Sequence, residues 1–132
     1  MKQIAAAITL TMLAIANFAT AAELVKPDAF DEWREKHPDA VLLDIRTPEE
    51  FATGHIPGTR LVTWGSDDDF TGRVRAIAKP DQPVLLICRS GRRTVAAGKA
   101  LQAAGFTTLS DLQGGMLAWK RSGERPVEKP EP

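Results

Sequence analysis

Two short runs, "VLLDI" at 41–45 and "VLLIC" at 84–88, constrain the fold more than any other feature. Both are apolar on nearly every consecutive residue instead of on alternate ones. A strand with one wet face alternates, whereas a strand covered on both faces does not. Such runs belong in the middle of a parallel sheet with helices packed above and below. Shorter candidate strands lie at Leu24-Val25, at 61–64 and within "FTTLSDL", 106–112. Stretches with helical spacing separate them. The expectation is an α/β fold: a mostly parallel central sheet of about five strands with helices on both faces.

Helix starts and stops are legible between the strands. Pro27 stands where proline opens a helix, ahead of Phe30, Trp33 and Arg34. "TPEE", 47–50, reads as a capping box: Thr47 as N-cap, Pro48 first in the helix, Glu50 at the third position. Gly54 ends that helix. "SDDD", 66–69, precedes a helix whose Phe70, Val74, Ile77 and Ala78 share a face. A further helix is expected from about Thr94 to Ala104, stopped by Gly105, and a last short one over "MLAWKRSG".

The ends of the chain differ from its middle. Lys2 precedes a largely apolar stretch from Ile4 to Phe18, followed by Ala19-Thr20-Ala21. This is the pattern of a secretory signal peptide over residues 1–22, cleaved after Ala21 or Ala22. The stretch is short for a membrane span, is interrupted by threonines, and meets charge at once. The expected location is periplasmic or secreted, with no stable membrane association after cleavage. Residues 23–123 form one domain, and the proline-rich tail 124–132 lacks periodicity and is expected to be disordered. Across the 132 residues, 17 basic and 17 acidic side chains cancel. A general polyanion-binding surface is therefore not expected, and no stretch supplies the basic face that nucleic acid would require.

Cys88 is the only cysteine. In an oxidising compartment a lone thiol is buried and inert, paired with another molecule, or chemically used. Its surroundings favour use. In an open parallel sheet, ligands bind beyond the C-terminal strand ends, which is where Cys88 falls. A thiol attacks as thiolate, and its free pKa of about 8.5 keeps most of it protonated. The following helix can point its N-terminus at the sulfur, and the tight loop Arg89-Ser90-Gly91-Arg92-Arg93 can turn backbone N–H groups inward. Three arginines at a helix N-terminus oppose its dipole unless they serve a nearby anion. Arg89, Ser90, Gly91, Arg92 and Arg93 are thus candidates to bind an anionic substrate. Thr94 reads as a helix cap supporting the site. Asp44, Arg46 and Glu50 read as scaffold at the neighbouring strand end, with Arg46 and Glu50 able to pair at i, i+4. His55 in its turn reads as a structural hydrogen-bonder, and a Cys–His dyad has little support from His37 or His55.

The segment Cys88-Arg-Ser-Gly-Arg-Arg-Thr94 resembles the active-site loop of the rhodaneses, the thiosulfate sulfurtransferases. "LLDIRTPEEFATGHIPGT" is similar to the family's Asp-x-Arg, Glu-aromatic and Gly-His-Ile-x-Gly pattern. Here these are Asp44, Arg46, Glu50-Phe51 and Gly54-His55-Ile56-Pro57-Gly58. "LQGGMLAWKRSG" resembles its closing glycine pair and Trp helix. Thr59-Arg60 departs from the family's small-then-polar habit. The resemblance spans Leu24 to Gly123. It implies a rhodanese-like fold and transfer of a sulfane sulfur through a Cys88 persulfide. A small-molecule donor such as thiosulfate, and cyanide or a thiol as acceptor, would be used without metal or organic cofactor. A protein thiol is a further acceptor, and a monomer is the expected state. Two alternatives stay open. One is a sulfur carrier or redox module acting on a partner protein. The other is a phosphatase or arsenate reductase of related fold, whose loop places arginine sixth after the cysteine, where this chain has Thr94.

Overall fold

The computed structural model of the protein describes residues 22–65, 69–123 and 125–129. The signal-peptide reading, apart from Ala22, and the Ser66–Asp68 part of the "SDDD" run lie outside the described residues.

Within them the elements alternate: β1 (Glu23–Val25), α1 (Phe30–Lys36), β2 (Val41–Asp44), α2 (Pro48–Ala52), β3 (Arg60–Leu61), α3 (Phe70–Arg75), β4 (Val84–Ile87), α4 (Arg93–Ala103), β5 (Leu109–Leu112) and α5 (Gly115–Arg121). A single 3-10 turn, Pro27–Ala29, leads into α1. The sheet order is β1-β5-β4-β2-β3 and every pairing is parallel. The two apolar runs lie side by side, Leu42 opposite Leu85 and Leu43 opposite Leu86.

Their lack of alternation now has its cause. Leu43, Ile45, Val84, Leu86 and Cys88 face one core with Phe70 and Val74 of α3 and Ala97 and Leu101 of α4. Leu42, Leu85, Ile87 and Leu112 face a second with Phe30 and Trp33 of α1 and Met116 and Trp119 of α5. Apolar burial on both faces supplies the main stabilising term, about 25 cal/mol per Å² removed from water. No helix among the described residues is long and apolar enough to cross a membrane.

Three details depart from the sequence reading. The strand expected over 61–64 is reduced to Arg60–Leu61, although Val62 and Trp64 still donate backbone bonds to Asp44 and Ile45, 2.9 Å each. The helix after the cysteine loop begins at Arg93, not Thr94. The tail read as disordered over 124–132 lies against the domain through 125–129. The Arg125 guanidinium sits 4.1 Å from the Trp119 ring centroid and reaches Asp31 at 3.1 Å. Trp119 Nε1 donates to the Pro126 carbonyl, and His55 and Glu128 exchange two backbone hydrogen bonds of 2.9 and 2.7 Å. A polar, proline-rich segment shows no periodicity, so composition hid a docking made by a guanidinium over an aromatic ring and by backbone hydrogen bonds to His55.

Candidate active site

A parallel sheet brings the C-terminal ends of its strands to one edge, and three chain segments meet there. The end of β2 carries Asp44, and Arg46 follows just past it. The segment after β4 is the loop from Cys88 to Arg92. The turn after β5 is Gln113-Gly114 leading into α5.

Cys88 is the first residue past β4, fully buried. Its Sγ accepts a hydrogen bond from the Gly91 N–H at 3.1 Å. Gly91 has φ +90°, a region that side chains disfavour, and this turn aims its amide back at the sulfur. The eleven-residue α4 begins at Arg93 and adds its positive dipole end. Arg89, Ser90 and Arg92 are exposed on the outside of the loop.

The loop rests on the N-terminus of α5. Met116 N donates to the Cys88 carbonyl at 2.9 Å and Leu117 N to the Arg89 carbonyl at 3.0 Å. Gly115, at φ +59°, permits this approach: a Cβ there would collide with the Cys88 carbonyl and stand 2.6 Å from that of Arg89. The closing glycine pair thus lets one backbone lie directly under another.

Two ion pairs frame the site, and their partners differ from the sequence expectation. Arg46 does not pair with Glu50. Its Nε and Nη2 grip both oxygens of Asp44 at 2.8–3.0 Å, and Nη2 also donates to the Gly54 carbonyl at 2.9 Å. Both side chains are buried, 3% and 0% exposed, so breaking the pair by removing one partner costs ~3–5 kcal/mol. Arg46 turns inward because Asp44, two residues back on the strand end, presents its carboxylate within the same buried corner. Glu50 is taken instead by Arg93, expected among the anion-binding residues. Nη1 and Nη2 of Arg93 donate to Oε1 and Oε2 of Glu50, 2.7 Å each. The Arg93 hydrogen bond holds the Glu50 carboxyl down at about 2, against partial burial that works the other way. Glu50 raises the Arg93 guanidinium in turn. Glu50 also closes the capping box with Thr47, joining α2 to the start of α4.

Thr94 is not a cap. Its hydroxyl donates to Asp111 Oδ2 at 2.7 Å and lies 3.8 Å from Cys88 Sγ. Asp111 is a site residue the sequence reading missed; the available signal was one carboxylate inside the apolar strand "TLSDL". Burial pushes its carboxyl up to about 6, opposed by the Thr94 hydrogen bond. The two histidines sit elsewhere: His37 stacks on Trp33, and His55 stacks on Phe51 at 3.7 Å.

Beside the loop lies a recess of about 290 Å³ whose lining includes Arg46, Glu50, Arg89, Met116 and Lys120. A larger one, about 430 Å³, lies under the tail against Phe30, Arg34, Trp119 and Arg125. No loop residue lines the larger recess, so the smaller one is the approach to the loop.

Known proteins agree with the fold. The family profile described as "Rhodanese-like domain" matches residues 26–122. The thiosulfate sulfurtransferase GlpE of Stutzerimonas stutzeri is 34% identical over 96 residues, 73% of this chain and 84% of that protein. A sulfurtransferase of Allochromatium vinosum is 38% identical over 93 residues, 70% and 82% of the two chains. The crystal structure of the Alr3790 protein from Anabaena sp. superposes with a TM-score of 0.70 at 25% identity, covering 80% of this chain and 82% of that one. With its five-stranded parallel sheet and its cysteine loop seated on a glycine pair, the chain belongs to the rhodanese-like sulfurtransferase family.

Proposed function

We propose that the protein is an exported thiosulfate sulfurtransferase. The observation that carries this reading is the sole cysteine at the sheet's C-terminal edge, with the Gly91 N–H aimed at its sulfur from 3.1 Å. In the first half-reaction the Cys88 thiolate attacks the outer sulfur of thiosulfate. A Cys88 sulfur–sulfur bond forms, the thiosulfate sulfur–sulfur bond breaks, and sulfite leaves with the electron pair. In the second, cyanide or a thiolate attacks the outer sulfur of the persulfide, thiocyanate or a new persulfide departs, and the Cys88 thiolate returns. The cycle is ping-pong. The Gly91 amide and the α4 dipole favour anionic sulfur in both half-reactions. The exposed Arg89 and Arg92 attract the dianionic donor, while Arg93, engaged by Glu50, holds the loop.

Export is inferred from the apolar segment ahead of Ala19-Thr20-Ala21. The protein acts as a monomer, and the acceptor thiol belongs to a small molecule or to a partner protein. Phosphoryl chemistry fits less well. The loop has one residue fewer than a phosphate cradle, and Arg93, the nearest arginine to the required place, is held by Glu50.

Thiocyanate formation from thiosulfate and cyanide tests the reading. The unmodified protein turns over, and Cys88→Ser loses activity by about a thousandfold or more while keeping its thermal midpoint. Substantial turnover by the serine variant would remove Cys88 from the chemistry.

A further inference from the structure

Cys88 must lose a proton before its sulfur can attack, yet the residue is 0% exposed, so bulk water does not take that proton directly. Among the described residues, two groups stand in hydrogen-bonding reach of Sγ. The Gly91 N–H is a donor and accepts nothing. The other is Thr94 Oγ1 at 3.8 Å, whose hydroxyl donates to Asp111 Oδ2 at 2.7 Å, the shorter of its two acceptor contacts, the Gly91 carbonyl being at 3.1 Å. Asp111 is 5% exposed, and its Oδ1 is buried with no hydrogen-bond partner. An ionised carboxylate with an unpartnered buried oxygen is costly, and a protonated one is less so. The carboxyl is therefore built to accept a proton, and the chain of groups behind the sulfur leads to it.

We propose that Asp111 is a positioning residue that acts through Thr94 and receives the proton Cys88 gives up. The step moves two protons and one unit of charge. The thiol proton passes to Thr94 Oγ1 as the Thr94 hydroxyl proton passes to Asp111 Oδ2. The Cys88 S–H and Thr94 O–H bonds break, new bonds form at Thr94 and Asp111, and the negative charge moves from carboxylate to sulfur. The Thr94 hydroxyl then donates to the thiolate beside the Gly91 amide. When the thiolate is regenerated after sulfur transfer, the same path can return the proton.

Across the sheet Asp111 is opposite Leu24 of β1 and Leu86 of β4. On the α4 side it lines a cavity of about 340 Å³ with Thr94, Val95, Gly98 and Lys99. Glu23 lies one residue back on β1, opposite Ser110. Lys99 lines the same cavity, and Arg93, on the loop side, is bound to Glu50.

The inference rests on Cys88 as nucleophile, but its test does not. The rate of Cys88 alkylation by iodoacetamide is followed by intact mass from pH 5 to 9. The samples are the unmodified protein, Asp111→Asn, Thr94→Val and Thr94→Ser. Asparagine keeps an acceptor for Thr94 and removes the proton acceptor together with its charge. In the unmodified protein the rate falls on the acid side near pH 6, as Asp111 fills with a proton. In Asp111→Asn and Thr94→Val the fall no longer sits near pH 6 but follows the thiol alone, and the rate at pH 7 drops about tenfold. Thr94→Ser stays within about twofold of native, because the hydroxyl is restored. A carboxylate acting only by its charge would repel the thiolate, so its removal would speed alkylation. A rate in Asp111→Asn equal to or above native overturns the proposal. Persulfide formation from thiosulfate on the same samples separates the two claims. A native protein that gains no sulfur contradicts the sulfurtransferase reading. One that gains sulfur, with an unchanged profile in Asp111→Asn, contradicts the relay alone.

Discussion

Glu50 binds two elements with one carboxylate. It caps α2 through Thr47 and clamps Arg93 at the start of α4. The consequence is a pH dependence of known sign. Its carboxyl lies at about 2 in the folded protein against an ordinary value of 4.5. A depressed carboxyl contributes stability that is complete above the unfolded value and is lost as pH falls through the folded one. The contribution is therefore full above 4.5 and fades between there and about 2. Water screens a half-buried pair, so Glu50→Gln should cost ~1 kcal/mol at pH 7. Thermal midpoints of the two proteins measured at stepped pH check this. The difference is largest at neutral pH, shrinks below 4.5 and vanishes near 2. A gap that widened on acidification would mean that the clamp is not what Glu50 contributes.

At the scale of elements, the cysteine loop is held by α5 more than by its own residues. Gly115 is the position where this is most exposed to test. A methyl group there meets the Cys88 and Arg89 carbonyls, and φ +59° disfavours any side chain. Gly115→Ala should lower stability by ~1–3 kcal/mol and displace the loop. Thiocyanate formation should fall at least about tenfold, more than the loss of folded protein explains. Activity measured per folded molecule distinguishes the two effects; an unchanged value would mean that α5 does not set the loop. The legibility of the sequence follows the same division. Strands and caps were readable because their signals are local: continuous apolar residues in β2 and β4, and Thr47-Pro48-Glu50 at α2. What was not readable depends on pairs distant in the chain. Arg93 meets Glu50 across 43 positions, and Thr94 meets Asp111 across 17. Arg46 has three carboxylates within four residues, Asp44, Glu49 and Glu50, and spacing alone could not choose the buried Asp44. The contacts of residues 125–129 with Trp119 and His55 were not readable because they depend on surfaces that exist only after folding.

The molecule as a whole divides its work between a rigid interior and one edge. Two apolar cores, one on each face of the sheet, fix the strands, and all the polar features of the site gather where β2, β4 and β5 end. The chain as a whole is neutral, so under the proposed function attraction of an anionic donor is local, the task we propose for the exposed Arg89 and Arg92. The central claim is that this edge carries a sulfur atom covalently on Cys88. Intact mass spectrometry of the protein after incubation with thiosulfate tests it most directly. The expected result is a gain of one sulfur atom on each chain, complete removal of that gain by cyanide with release of thiocyanate, and no gain in Cys88→Ser. A native protein whose mass thiosulfate leaves unchanged, or a serine variant that gains the same sulfur, would contradict it.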